Sequence, residues 1–222
     1  MRAAGNDVPK RARMQEILRQ SPIVAVITID NAEGAVPLAR ALVAGGVTAL
    51  ELTLRTPAGL ASAAAILKEV PEAMVGIGTI LTPDDLAKAR QSGAHFGVSP
   101  GITAALLDAA AQSDLPFMPG IQSASELMEA MARGFDIVKL FPAAALGRPA
   151  IQGLGGPFPE VRFCPTGGVG EENFMDWLAL PNVAAVGGSW MASRADIRAG
   201  NWASITDRAR RAMDKMGAGK TV

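Results

Sequence analysis

Residues 47–56 read VTALELTLRT, and this stretch carries the strongest indication of the fold. Its apolar and polar residues alternate with the two-residue period of an extended strand. The apolar face consists of Leu50, Leu52 and Leu54. The polar face consists of Glu51, Thr53 and Arg55. The fold decides whether this polar face meets water or a substrate.

The flanks of the stretch are typical of helices. ALVAGG (41–46) has the form of a helix end with a glycine C-cap, and TPAGLASAAAILKEV (56–70) has the form of a new helix. We expect Thr56 to be the N-cap of that second helix and Pro57 its first helical residue. A strand between two helices is typical of a parallel sheet covered by helices. A polar face turned to water is therefore the weaker interpretation.

Similar units recur along the chain, with strand starts roughly 20 to 25 residues apart, enough for one strand, one helix and two short loops. The strand-like runs are IVAVITI (23–29), TALELTL (48–54), MVGIGTI (74–80), AHFGVSP (94–100), LPFMPG (115–120), FDIVKLFP (135–142), VRFCPTGG (161–168) and VAAVGGSW (183–190). Between them, Thr82 with Pro83 and Ser123 with Glu126 form helix-start signals.

Eight such units predict an α/β fold of the TIM barrel type, (β/α)8, with a short N-terminal helix. We expect one domain over residues 1–222, with residues 1–9 frayed because of their polar, Gly and Pro content. The alternative is a doubly wound open sheet, in which the first and eighth strands do not pair.

Composition narrows the class of partner. The chain has 222 residues, 49% of them apolar, and 21 basic residues balance 21 acidic ones. The longest run of basic character is KRAR (10–13), so nothing indicates binding to nucleic acid or to an anionic membrane. No segment resembles a signal peptide or a membrane span. We expect a cytoplasmic protein with a small-molecule partner.

Cysteine and histidine are scarce. Cys164 is the single cysteine and His95 the single histidine, so a disulfide within the chain is excluded and a His- or Cys-rich zinc shell is not available. A Ser-His-Asp triad would need His95, which stands among small and apolar residues. We interpret His95 as a packing or hydrogen-bonding residue. No metal site is expected, and the chemistry must rely on Lys, Arg, Glu, Asp, Thr and Ser.

In a barrel, the polar face of 47–56 points inward. Alternate residues of each strand face the helices or the barrel axis, and catalytic groups lie at the C-terminal ends of the strands. Glu51, Thr53 and Arg55 are then candidate site residues. The alternative is a buried structural ion pair of Glu51 with Arg55, although the two lie about 13 Å apart along an extended strand.

Lys139 is a second anomaly, because it stands within the apolar run DIVKLFPA (136–143). Lysine is rarely buried, and burial disfavours its ammonium form. A neutral lysine amine is a nucleophile that condenses with a ketone to form a Schiff base. The alternatives are a lysine that snorkels from the strand edge and a lysine that binds phosphate.

Glycine pairs follow the seventh and eighth runs, in CPTGGVGEEN (164–173) and VGGSWM (186–191). Such turns present backbone N–H groups, and in TIM barrels the loops after strands seven and eight commonly hold a phosphate. Thr166 and Ser189 supply hydroxyl groups beside these glycines. The sequence therefore predicts a phosphate site here.

Together these motifs resemble a known family. LELTLRTP, VGIGTILTP, SPG, PGIQSASEL, VKLFPA, RFCPTGGV and GGSWM, in this order, are similar to the KDPG aldolases (2-dehydro-3-deoxy-phosphogluconate aldolase, often bifunctional with 4-hydroxy-2-oxoglutarate aldolase). The resemblance runs from about Pro22 to beyond Met191. It implies a homotrimeric TIM barrel and a class I aldolase of the Entner–Doudoroff pathway, with a covalent lysine Schiff base and no cofactor.

The resemblance also implies roles for individual residues. Lys139 is expected to form the Schiff base and Glu51 to act as general acid and base. Arg55 and Thr79 are expected to bind the pyruvate carboxylate. The remaining predicted substrate-binding residues are Pro100, Phe141, Thr166, Gly167, Gly168, Gly188 and Ser189.

Two positions depart from the family pattern. Many relatives carry proline where this chain has Ala25, and FPAE where it has FPAA with Ala144. These departures bear on substrate preference, including the galactonate epimer of KDPG, more than on reaction type. Two other functions stay open: a phosphate-binding barrel that uses Glu51 as a base without a lysine adduct, and a barrel that binds phosphate without catalysis.

Overall fold

A computed structural model describes residues 9–218, in which parallel strands alternate with helices along the chain. The expectation of frayed residues 1–9 lies, apart from Pro9, outside the described residues. The strands are β1 (Ile23–Ile27), β2 (Ala49–Thr53), β3 (Met74–Gly78), β4 (Phe96–Val98), β5 (Phe117–Met118), β6 (Gly120–Ile121), β7 (Ile137–Leu140), β8 (Arg162–Pro165) and β9 (Val186–Gly188). The helices are α1 (Lys10–Gln20), α2 (Ala35–Ala44), α3 (Gly59–Glu69), α4 (Pro83–Gln91), α5 (Ala104–Gln112), α6 (Ala124–Met131), α7 (Ala143–Gly155), α8 (Phe174–Leu178), α9 (Arg194–Ala199) and α10 (Trp202–Ala218).

The strands close into a ring. Strand β1 pairs in parallel with both β2 and β9, so the first and last strands are neighbours. Strands β5 and β6 flank Pro119 and form the two halves of one barrel strand, since β5 pairs with β4 and β6 with β7. Bridges Phe163↔Val183 and Thr166↔Gly187 join β8 to the last strand. The prediction of a TIM barrel is confirmed, and the open sheet is wrong.

Two apolar layers hold the barrel together. The outer layer lies between strands and helices and includes Leu50 and Leu52, each fully buried, as the alternation in 47–56 predicts. The inner layer fills the half of the barrel towards the N-terminal ends of the strands, with residues such as Val24 and Phe96. Helix α1 adds Met14, Ile17 and Leu18 to it. Helix α1 therefore closes the N-terminal end of the barrel with apolar side chains, which leaves the opposite end for a site.

Several helix starts follow the sequence signals. Thr82 caps α4 in a capping box with Asp85, with Pro83 at the first helical position, and Ser123 caps α6 in a capping box with Glu126. These predictions are confirmed.

The predicted start of α3 is wrong. The helix begins at Gly59 after Ala58, which makes no side-chain cap. The Thr56 hydroxyl donates instead to the carbonyl of Ile29 in the loop after β1. Thr56 therefore ties two loops together at the C-terminal end of the barrel, and the helix starts later.

The sequence analysis predicts a helix after each strand-like run but gives no bounds for α7, which follows the sixth run, or for α9 and α10, which follow the eighth. Helix α7 carries Gly147 at φ 74°, where the helical backbone is interrupted, and Pro149 within it. Within residues 9–218, no helix is long and apolar enough to cross a membrane.

Candidate active site

Lys139 and Glu51 form an ion pair inside the barrel. Their strands, β7 and β2, point them at each other, and Lys139 Nζ donates to Glu51 Oε1 at 3.2 Å. The two residues are only 3% and 2% exposed. Lys139 is thus a buried lysine and not a snorkelling one, and the alternative pairing of Glu51 with Arg55 is wrong.

Glu51 occupies space beside strand β3 that is free because Gly78 has no side chain. A Cβ at Gly78 would lie 2.1 Å from Glu51 Oε1 and 2.6 Å from its Cγ, far closer than a van der Waals contact. The carboxylate therefore rests against the bare backbone of Gly78. Gly78, the second glycine of VGIGTI (75–80), is required because a side chain from the neighbouring strand approaches its backbone closely.

Cys164 lies next to this pair, as the register partner of Lys139 on β8. Burial raises the pKa of the Cys164 thiol to about 12, with the Glu51 carboxylate adding to the shift and the Lys139 ammonium opposing it. The thiol is therefore uncharged at neutral pH. It packs beside the ion pair as a small apolar group, and Lys139 is the candidate nucleophile at this level of the barrel.

A cavity of about 490 Å³ opens above the ion pair at the C-terminal ends of the strands. Seven of the predicted substrate-binding residues line it: Arg55, Phe141, Thr166, Gly167, Gly168, Gly188 and Ser189. Lys139 Nζ lies 5.5 Å from the centroid of the Phe141 ring, so this ring joins the cavity to the buried pair. The barrel brings together side chains and turns that lie more than 130 positions apart in the sequence, from Arg55 to Ser189.

The glycine turn after β8 depends on the absence of side chains. Gly167 and Gly168 have φ of 90° and 78°, in the left-handed region that favours glycine. A Cβ on Gly168 would also lie 2.2 Å from the Cβ of Ala144. The carbonyls of Thr166 and Gly167 accept hydrogen bonds from Ala143 and Ala144, which fixes the turn against the start of α7.

Thr79 and Pro100 lie beside the ion pair and outside the lining of this cavity. Thr79 follows Gly78 directly and has φ of 60°, a strained backbone for a β-branched residue. Pro100 follows β4 and packs against Gly120, the register partner of Lys139. Both predicted residues are thus at the C-terminal rim, on the β3 and β4 side of Lys139.

His95 is at the opposite end of the barrel, at the start of β4. Its ring Nδ1 accepts a hydrogen bond from the Val75 backbone N–H at 2.9 Å, and the His95 backbone N–H donates to the Val75 carbonyl. The interpretation of His95 as a hydrogen-bonding residue is confirmed. Partial desolvation lowers the pKa of its ring, and the Val75 N–H requires Nδ1 to be unprotonated.

Three further polar residues that the sequence analysis did not select line the cavity: Thr28, Ser193 and Arg194. The Thr28 and Thr53 hydroxyls lie 3.0 Å apart, and Thr53 also donates to the Ile27 carbonyl. Thr28 stands in the first strand-like run, and Arg194 follows the eighth. A search for polar residues at the end of every predicted strand finds both.

The charged groups of the site are one lysine, one glutamate and two arginines. Among residues 9–218, no three His, Cys, Asp or Glu side chains are grouped so as to hold a metal ion. The arrangement offers a nucleophilic amine, a carboxylate within proton-transfer distance of it, and cations with glycine turns for anionic groups.

Comparison with known proteins gives a consistent result. The family model for KDPG and KHG aldolase matches residues 14–208. The KHG/KDPG aldolase of Escherichia coli strain K12 is 48% identical over 201 residues, which cover 90% of this chain and 94% of that protein.

Two solved structures are similar to the whole barrel. The KDPG aldolase of Legionella pneumophila, with pyruvate captured at low pH as a covalent carbinolamine intermediate, superposes with a TM-score of 0.87 at 41% identity and covers 93% of this chain and 98% of that one. The aldolase of Zymomonas mobilis ZM4 with 3-phosphoglycerate has a TM-score of 0.82 at 40% identity and covers 89% and 93% of the two chains.

Proposed function

Because this chain belongs to the KDPG and KHG aldolase family, we propose that Lys139 and Glu51 cleave 2-dehydro-3-deoxy-6-phosphogluconate (KDPG) to pyruvate and glyceraldehyde 3-phosphate in its barrel. The enzyme is a carbon–carbon lyase of the metal-independent class I type. The shorter 4-hydroxy-2-oxoglutarate, which gives pyruvate and glyoxylate, is the second substrate that the family description indicates.

The ion pair between Lys139 and Glu51 is the single observation that carries this proposal. Removing both charges from water costs several kcal/mol per ion, and a pair of well-packed apolar residues would stabilise the barrel as well or better. A proton that crosses the 3.2 Å from Lys139 to Glu51 leaves a neutral amine and a neutral acid. The pair thus supplies a nucleophile and a proton donor in one step.

In the proposed reaction the neutral amine of Lys139 attacks the C2 ketone and forms a carbinolamine. Glu51 donates a proton as the hydroxyl leaves as water, which gives a protonated imine. The Glu51 carboxylate then takes the proton from the C4 hydroxyl, the C3–C4 bond breaks, and its electron pair moves into the imine to give an enamine. Glyceraldehyde 3-phosphate leaves.

The second half of the reaction returns the enzyme to its starting state. Glu51 protonates the enamine at C3, which regenerates the imine of pyruvate. Water adds to the imine, pyruvate departs, and the proton balance of the pair is restored. The carbinolamine with pyruvate in the L. pneumophila aldolase supports this sequence, because it is an intermediate of the same half-reaction in a relative.

The two anionic ends of KDPG need different groups. The planar guanidinium of Arg55 suits the carboxylate, since it donates to both oxygens, and Thr79 beside Glu51 adds a hydroxyl. The turns at Gly167 and Gly188 suit the phosphate, because backbone N–H groups donate without the volume of a side chain. Binding of 3-phosphoglycerate to the Z. mobilis relative supports a site for phosphorylated acids in this fold.

Mass spectrometry of the intact protein tests the role of Lys139. Borohydride reduction in the presence of pyruvate should add one pyruvate-derived group to the native chain, at Lys139, and none to Lys139→Ala. Lys139→Arg is the matched control that keeps a positive charge opposite Glu51 without a nucleophilic amine. A folded native chain that gives no adduct contradicts the Schiff-base mechanism.

Glu51→Gln separates proton transfer from packing, because it keeps the size of the side chain. It should lower the rate of KDPG cleavage by about 10² to 10⁴-fold, the usual range for a general acid–base residue. A variant that cleaves KDPG at the native rate would remove Glu51 from the mechanism.

Assembly and cellular role rest on the family resemblance. A homotrimer in the cytoplasm that serves the Entner–Doudoroff pathway is the arrangement that the resemblance supports. Light scattering in solution should give the mass of three chains, and the mass of a single chain would contradict the trimer.

A further inference from the structure

Arg194 lines the same cavity as the glycine turns after β8 and β9. It is the first residue of α9, directly after its N-cap Ser193, and its side chain is about half exposed at the rim. The other arginine in the lining is Arg55, at the end of β2. The cavity therefore has two cations from distant segments of the chain, one after β2 and one at the start of α9, and Arg55 is already assigned to the carboxylate end of the substrate.

Asp30 holds Arg194 in place. Its carboxylate binds the Arg194 guanidinium through Nη2, and its second oxygen accepts from Arg198 Nε at 2.8 Å. Asp30 stands just after β1, so this contact links the first and last barrel strands at their C-terminal ends. Hydrogen bonding to Arg194, above all, lowers the pKa of Asp30, which is therefore ionised at neutral pH.

The charge of this cluster is not balanced. One carboxylate serves two guanidinium groups, so Asp30, Arg194 and Arg198 together carry one surplus positive charge. Of the two arginines, only Arg194 reaches the lining of the cavity. The surplus charge thus faces the cavity through Arg194.

A phosphate ester brings about two negative charges at neutral pH. The turns at Gly167, Gly168 and Gly188 offer hydrogen-bond donors and no formal charge, so they leave the charge of the phosphate uncompensated. A guanidinium suits this task, because its fork of donors matches the oxygens of a phosphate.

We propose that Arg194 binds the terminal phosphate of the substrate and makes the enzyme prefer phosphorylated over unphosphorylated 2-oxo sugar acids. The inference rests on the proposed function and adds to it a residue that sets substrate preference. Asp30 is a positioning residue, which holds the Arg194 side chain at the cavity that the glycine turns also line.

Two substrates with the same carbon skeleton test this role: KDPG and 2-keto-3-deoxygluconate, which lacks the phosphate. The quantity measured is the ratio of their kcat/KM values, with pyruvate release followed by lactate dehydrogenase. Arg194→Ala should lower this ratio about tenfold, the low end for a hydrogen bond to a charged group because the side chain is half exposed. The loss should come mainly from a higher KM for KDPG.

Arg198→Ala is the matched control, since it removes the other guanidinium from Asp30 and leaves the cavity lining intact. Its substrate ratio should fall by less than that of Arg194→Ala, because removing Arg198 cancels the surplus charge of the cluster but leaves the Arg194 guanidinium in the cavity lining. An unchanged ratio in Arg194→Ala overturns the proposal, and so does an equal fall in Arg198→Ala.

Trapping of pyruvate on Lys139 keeps this test separate from that of the proposed function. Pyruvate has no phosphate, so Arg194→Ala should form the borohydride-reduced adduct as the native chain does. A native chain without the adduct defeats the proposed function itself. An adduct with an unchanged substrate ratio defeats the role of Arg194 alone.

Discussion

Gly78→Ala tests whether the position of Glu51 limits the reaction. The added Cβ would lie 2.1 Å from Glu51 Oε1, whereas ordinary contacts begin at 3.4 Å, so the carboxylate must move by about 1.3 Å. A shift of this size lengthens the 3.2 Å distance from Lys139 to as much as about 4.5 Å, beyond hydrogen-bond range. One methyl group thus separates the acid from the amine.

A misplacement of about 1 Å costs an enzyme on the order of 10²-fold in rate, or about 2.7 kcal/mol of activation free energy. Gly78→Ala should therefore lower kcat for KDPG about a hundredfold. Exchange of the pyruvate methyl protons with deuterium, followed by NMR, should slow by a similar factor, because the same carboxylate moves that proton. The extra methyl group should also cost about 1 to 3 kcal/mol of unfolding free energy.

Gly76→Ala is the control on the same strand. Its Cβ would lie 2.2 Å from the Phe96 ring, so the substitution overpacks the barrel with this ring, and not the Glu51 carboxylate, as the nearest neighbour. It should lose a similar free energy of unfolding and keep a kcat near the native value. Native kcat in a folded Gly78→Ala refutes the reasoning, and an equal loss of kcat in Gly76→Ala assigns the effect to distortion of β3.

Three further outcomes follow from single contacts. Because desolvation lowers the pKa of His95, the unfolded chain binds more protons than the folded one below about pH 6.5. The free energy of unfolding should therefore decrease as the pH is lowered through this range. His95→Gln, which keeps an acceptor for the Val75 N–H, should flatten this fall in urea unfolding measured from about pH 7.5 to 5. Thr79→Gly should be more stable than Thr79→Ala by about 1 kcal/mol, since only glycine relieves the left-handed φ of 60°; the same unfolding assay compares them. Lys139→Met should cost about 3 to 5 kcal/mol by leaving Glu51 unpaired, and adding Glu51→Gln should recover most of it in a double-mutant cycle.

The barrel and the faces of β2 were predictable because they depend on local pattern. Alternation over 47–56 places Leu52 outward and Glu51 inward in any parallel strand covered by helices, and the eight repeats supply the helices. The capping box at Ser123 was predictable for the same reason, since its partners lie three residues apart.

Contacts between distant segments were not predictable from pattern. Lys139 and Glu51 are 88 positions apart, and no periodicity links them. Thr56 has the local form of an N-cap, but its hydroxyl donates to the Ile29 carbonyl from the neighbouring loop, and the tertiary hydrogen bond prevails over the local one. The contact between Arg194 and Asp30 is of the same kind, because the two residues lie 164 positions apart.

The buried pair also explains how the barrel tolerates charge chemistry in an apolar interior. Proton transfer between Lys139 and Glu51 keeps their total charge at zero, whether both are ionised or both are neutral. In the proposed mechanism the negative charges that KDPG brings stay at the rim, where Arg55 is exposed to solvent and the glycine turns line the cavity. The inner layer below, with Cys164 protonated and α1 closing the base, never has to accommodate a net charge. The proposed reaction therefore takes place between a neutral core and a charged rim, at the level where the Glu51 carboxylate rests against Gly78.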